Sequence, residues 1–160
     1  MKLRTLFCSL CLGLLLAACK DPPSRWDQAA TAKLPAAASG APEARPGSAF
    51  NTFFPADGVE GTSRVFSQEK AGFAEAKLKQ DGKEIAVLSI SDAVNDPDVK
   101  AKFASATDKL EGMPLVTVGK NQSALLVKDR YQVKVSSPSL DAEARKAWLG
   151  RFNLSGLGSL

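Results

Sequence analysis

The chain has 160 residues, with 21 lysines and arginines against 17 aspartates and glutamates and no histidine. Without histidine, Ser-His-Asp triads, Cys/His dyads and the common zinc sites are excluded. A formal charge of +4 with no basic cluster leaves no electrostatic footprint for nucleic acid, and composition identifies no reaction or ligand.

Lys2 and Arg4 form a basic start, and Leu6 to Leu16 form an apolar run broken only by Ser9 and Gly13. This is the architecture of a secretory signal. The run is shorter than the roughly 20 apolar residues that span a bilayer, and the polar, proline-rich sequence after it does not extend it. It closes on Leu16-Ala17-Ala18-Cys19, where small side chains suit a peptidase pocket and Cys19 supplies a nucleophilic sulfur.

These four residues resemble the lipobox of bacterial lipoprotein precursors, a likeness that covers only the first 20 residues or so. The resemblance implies cleavage before Cys19, a thioether-linked diacylglyceryl group on its sulfur and a further acyl chain on its amine. At about 0.8 kcal/mol per buried CH₂, two or three chains anchor a protein stably where one does not. Within that class, Lys20 after the cysteine implies export to the outer membrane with the protein facing the periplasm, while Asp21 leaves the inner membrane open. Loss of residues 1–18 removes Lys2 and Arg4 and no acid, so the high isoelectric point belongs partly to the signal. Cys8 and Cys11 leave with it, and the exported part has neither a free thiol nor a disulfide.

Residues 19–48 are rich in Ala, Pro, Ser and Gly, with Pro22, Pro23, Pro35, Pro42 and Pro46 and little apolar periodicity. They read as a disordered tether, because such a segment buries too little surface to offset its ordering entropy. A flexible coil of this length spans about 30 Å. Trp26 reads as an incidental aromatic within it.

Residues 49–160 suffice for one modest domain. Phe50, Phe53 and Phe54 precede the turn signal Pro55-Ala56-Asp57-Gly58 and pack its first edge. Arg64 to Gln68 has strand composition. Phe73 to Lys79 alternates, with Ala74, Ala76 and Leu78 on one face and Glu75, Lys77 and Lys79 on the other. Asp81-Gly82 is a hairpin turn, and Glu84 to Ile90 returns as a central strand.

Val99, Phe103, Ala106 and Leu110 recur at spacings of four, three and four. This predicts a helix with Asp96 as N-cap, Pro97 at its first position and Gly112 ending it. Leu115 to Val118, Ala124 to Val127 and Arg130 to Val135 read as strands, separated by turns at Gly119 to Gln122 and at Lys128-Asp129. A last helix from Asp141 to Phe152 presents Ala144, Trp148 and Phe152, and Leu154, Leu157 and Leu160 tuck the C-terminus against the sheet. The expected fold is α+β: a mainly antiparallel sheet of five to six strands with two helices packed on one face.

Candidate chemistry is sparse. Ser91 to Asp98 gathers three carboxylates and an amide that could hold Ca²⁺, but the spacing does not match the calcium-binding loop, and acids before a helix serve capping and the macrodipole. Ser89, Ser91, Ser136, Ser137 and Ser139 have no nucleophile elbow. A Ser–Lys pairing with Lys83, Lys128 or Lys134 has no supporting motif. Arg130, Tyr131 and Lys134 suggest a contact for an anionic partner or a solvated strand edge. Glu75, Lys77, Lys79 and Lys83 form an ordinary mixed-charge face, and Gly156-Leu157-Gly158 has no helix after it to cradle a phosphate.

The expected function is a lipid-anchored cell-envelope protein, not an enzyme, whose small domain binds or scaffolds an envelope protein partner. It takes no cofactor, metal or nucleic acid. One alternative is a carrier of a small apolar ligand between the sheet and Phe103, Leu110, Trp148 and Phe152. The other is a hydrolase using two carboxylates drawn from Glu69, Glu75, Asp92 or Asp96.

Overall fold

The computed structural model describes residues 42–160. The signal segment, Cys19, Trp26 and the tether as far as residue 41 lie outside them.

Seven strands form a single antiparallel sheet: β1 (Thr62–Lys70), β2 (Phe73–Gln80), β3 (Lys83–Asp92), β4 (Asp108–Leu110), β5 (Met113–Val118), β6 (Gln122–Val127) and β7 (Tyr131–Ser136). Their order across the sheet is β1-β2-β3-β7-β6-β5-β4. Two meanders are thus zipped together where β3 pairs with β7, from Val87 opposite Ser136 to Asp92 opposite Tyr131. Asp81-Gly82 makes the β2–β3 turn at φ 50° and 76°, the left-handed values that a two-residue hairpin requires.

One face of the sheet carries the main core. Ala74, Ala76, Leu78, Leu88, Ile90, Leu125, Val133 and Val135 alternate along their strands and are all but inaccessible. A 3₁₀ helix (Gly47–Phe53) covers them together with the C-terminal helices α2 (Ala142–Leu149) and α3 (Leu154–Leu157). Phe54 stacks on Phe66 and Phe152 with ring centroids 5.3 and 5.4 Å away. The expected packing of Phe50, Phe54, Trp148, Phe152, Leu154 and Leu157 into this layer is observed. Asp141 caps α2, its carboxylate accepting the Ala144 N–H at 2.8 Å.

The segment after β3 departs from expectation. Helix α1 runs only from Pro97 to Ala101, and Asp108–Leu110 is not its continuation but strand β4, hairpinned onto β5. Glu111 and Gly112 adopt φ 51° and 81°, so the glycine expected to end a helix instead turns a hairpin. The physical reason lies in where the apolar spacing points. Val99 and Phe103 pack on Ala124 and Leu126 on the second face of the sheet, whereas Leu110 joins the main core on the first. One straight helix cannot reach both faces. The sheet therefore has seven strands rather than five or six, and α1 and α2 lie on opposite faces rather than on one.

The contacts of the sheet also extend further back than composition suggests. Residues 42–48, placed by their prolines in the tether, lie against the ends of β1, β2 and β3. Among the described residues no helix is long and apolar enough to cross a membrane.

Candidate functional site

The densest polar network among the described residues fastens residues 42–48, here called the strap, to the sheet. Its centre is Asp92, the last residue of β3, whose side chain is fully buried. One carboxylate oxygen accepts from Arg130 Nε at 3.0 Å and from the Val94 N–H at 3.1 Å. The other accepts from Arg130 Nη2 at 2.8 Å and from the Arg45 N–H at 3.1 Å. Burial acts to raise the Asp92 pKa, but the hydrogen bonds from Arg130, Arg45 and Val94, helped by the guanidinium charge, hold it below the usual carboxylate range. The same hydrogen bond raises the pKa of Arg130.

Backbone contacts complete the fastening. Gly72, in the β1–β2 turn, donates to Arg45 O at 2.6 Å, and Asp92 N donates to Gly72 O at 2.8 Å. Arg130 Nη2 reaches Glu43 O at 3.2 Å, and the Arg45 guanidinium donates to Leu160 O near the C-terminus. Gly47 is buried so tightly that a Cβ there would stand 2.4 Å from Phe73 O and 2.5 Å from Lys70 O. Only glycine lets the two backbones approach this closely. A cleft of about 650 Å³ opens between the strap and Glu69, Lys70 and Arg130.

The other sequence candidates have separate fates. Asp96 caps α1 through the Val99 N–H at 3.0 Å. Glu75 accepts from Ser67 Oγ at 2.8 Å, and Glu69 accepts from Asn51 Nδ2 at 2.7 Å. Glu69 stands opposite Ala74 and Glu75 opposite Ser89, which places the two glutamates on opposite faces of the sheet. Glu69, Glu75, Asp92 and Asp96 are therefore not brought together as a hydrolytic pair. Among the described residues no group of three or more acids, cysteines or histidines is placed to hold a metal.

Ser137 and Ser139 bond to Ile85 O and tie the loop after β7 to β3. Ser89 stands directly opposite Lys134, but it is 2% exposed and its Oγ has no hydrogen-bond partner. The lysine thus neither activates that hydroxyl nor gives it a path to substrate. Tyr131 is not at a solvated edge: it lies in a central strand, 2% exposed, with its ring 5.9 Å from that of Phe50. Arg130 is spent on Asp92. Leu110, Trp148 and Phe152 lie in the main core and Phe103 in the second, so the four residues proposed to enclose an apolar ligand do not share one space.

Sequence reasoning missed the strap and Arg145. This arginine is 2% exposed with no acid beside it, its Nε donating to Ser123 Oγ at 3.1 Å and its Nη1 to Leu140 O. An arginine at a core position of an amphipathic helix was the available signal. Gly47 was the only residue hinting that the strap is pinned. Comparison with known proteins finds no family model, no curated protein and no solved structure that matches the chain.

Proposed function

We propose that this chain is a bacterial lipoprotein, anchored in the envelope through acyl chains on Cys19 and presenting a non-catalytic binding or scaffolding domain to an envelope protein. The observation that carries the reading is Leu16-Ala17-Ala18-Cys19 behind Lys2, Arg4 and an apolar run of signal length. The strap supports it. An anchored domain needs its tether joined at a defined point, and Asp92 and Arg130 grip that segment through its backbone, irrespective of most of its side chains. Of the polar groups that sequence offered for chemistry, Asp92, Asp96, Glu69, Glu75, Arg130, Ser137 and Ser139 are engaged in capping, strand ties and the strap.

Mass spectrometry of the protein purified from native envelopes tests the anchor. The expected N-terminal peptide starts at Cys19 and carries diacylglycerol; an unmodified thiol there overturns the reading. Fractionation is expected to follow Lys20 and place the protein in the outer membrane, facing the periplasm. Crosslinking in intact envelopes should trap one defined protein partner, and recovery of bulk lipoproteins alone would remove the scaffolding part.

A further inference from the structure

The second face of the sheet holds a recessed cleft of about 110 Å³ between β5, β6 and β7 and the turn after α1, lined by Lys102, Lys134, Gln122, Gln132, Val116 and Val118 around Ala124. Its existence follows from the register. Val116, Ala124 and Lys134 stand side by side on three strands, and the middle one is the smallest. Phe103 packs on Ala124 and Leu126 and holds the turn beside them, and Lys102 and Lys134 both line the hollow.

We propose that this cleft binds a single small oxyanion of the phosphate class, held between the ammonium groups of Lys102 and Lys134 and the side-chain amides of Gln122 and Gln132. Charge is the first argument. Among the described residues three cations sit in ion pairs: Lys77 with Glu84 at 2.9 Å, Arg130 with Asp92 at 2.8 Å, and Arg151 with Glu60. Among the described residues Lys102 and Lys134 have no such partner, and the cleft between them contains no acid. Asp98, one turn before Lys102, does not come within ion-pair distance of it. Glu75 lies two strands from Lys134, beyond Ser89, and accepts from Ser67.

Shape and donor chemistry give the ligand class. At about 30 Å³ per water, the cleft holds the volume of three to four waters. That is room for one tetrahedral group. Lysine binds phosphate as a point charge, glutamine adds neutral N–H donors, and a tetrahedral oxyanion offers acceptors towards all four. Inorganic phosphate and a phospholipid headgroup share this chemistry. The inference goes beyond the anchoring proposed above and does not depend on it.

Amine acetylation of the full chain in non-ionic detergent, followed lysine by lysine by mass spectrometry, tests it with inorganic phosphate as probe and chloride of equal ionic strength as control. With phosphate at twice its dissociation constant one third of sites stay empty, so Lys102 and Lys134 should react about threefold more slowly. Lys79 and Lys83, on the same sheet, should be unchanged. In a second arm the protein is reconstituted in phosphatidylcholine vesicles with or without phosphatidylglycerol. Protection by the anionic lipid as well as by phosphate makes the headgroup a source of the ligand, and protection by phosphate alone makes the free ion the ligand. Lys134→Gln, a half-exposed position whose replacement spares the core, should abolish protection at Lys102. Equal reactivity in every condition, uniform slowing of all lysines, or undiminished protection of Lys102 in Lys134→Gln would each overturn the proposal.

Discussion

Replacing Asp92 with asparagine should release the strap while leaving the sheet folded. The carboxylate accepts four hydrogen bonds, at 2.8 to 3.1 Å, from Arg130 Nε and Nη2 and from the N–H groups of Arg45 and Val94. Asparagine has the same outline but keeps one acceptor and turns an N–H₂ group towards donors. Each hydrogen bond to a charged group is worth about 1.5–3 kcal/mol. The Arg130 side chain is 28% exposed and regains water when the pair is broken, so the net loss is nearer about 2–3 kcal/mol than the sum. At 1.36 kcal/mol per tenfold, strap opening rises about 30- to 150-fold. The reporter is the Gly72 amide, bonded to Arg45 O at 2.6 Å and freed when the strap leaves. Its hydrogen exchange should accelerate by that factor, while Leu88 and Val133 amides in the central strands keep the protection of the parent. If Gly72 stays protected, or if every amide accelerates together, Asp92 is not what fastens residues 42–48.

Further substitutions and conditions test the same structure. Gly47→Ala drives a Cβ into the main-chain atoms of Lys70 and Phe73, which cannot yield as a side chain would, and should cost about 1–3 kcal/mol in denaturant unfolding. Asp92, with a folded pKa below its unfolded value of about 3.9, contributes stability that is complete above that value and lost as pH falls through the lower one. Asp92→Asn should therefore flatten the acid limb of a stability–pH curve below about pH 4 and leave its neutral shape unchanged, as chemical denaturation at a series of pH values will show. Leu88→Ala, at a core position with no exposure, should lose about 2–5 kcal/mol, against about 1 kcal/mol for removing the α2 cap with Asp141→Ala.

What could be read from the sequence was whatever depends on short-range pattern. The Ala74, Ala76, Leu78 alternation and the Asp81-Gly82 turn specify β2, its face and its partner, because a period of two and a positive-φ pair leave little choice. Asp96 caps as expected because capping reaches only three residues. Periodicity failed between Val99 and Leu110, where a helical spacing was satisfied by residues that serve two different cores. Nothing local distinguishes one apolar stripe from two half-stripes separated by a turn. The strap was illegible for a related reason: its fastening uses backbone groups of Glu43 and Arg45, and partners 47 and 87 residues away, so composition alone marks it as tether.

The edges of the sheet limit how a partner can approach. A free edge strand offers unpaired N–H and C=O groups to any extended chain, yet β1 is covered at both of its ends. Arg64 N donates to Asp57, Thr62 O accepts from Gly58, the Arg64 guanidinium reaches Pro55 O, and Gly47 is pressed against Lys70. The opposite edge, β4, is three residues long and carries Lys109. Short length and a lysine both discourage strand addition. Backbone augmentation is thereby disfavoured at β4 and at the ends of β1, which shifts recognition towards side chains. The second face over β1 to β3 presents them, with Val65 exposed, Lys77 and Lys79 half-buried and no helix above. Charge reversal at Lys77 or Lys79 should then weaken crosslinking to the proposed envelope partner, whereas substitutions at the covered ends of the β1 edge should leave it intact.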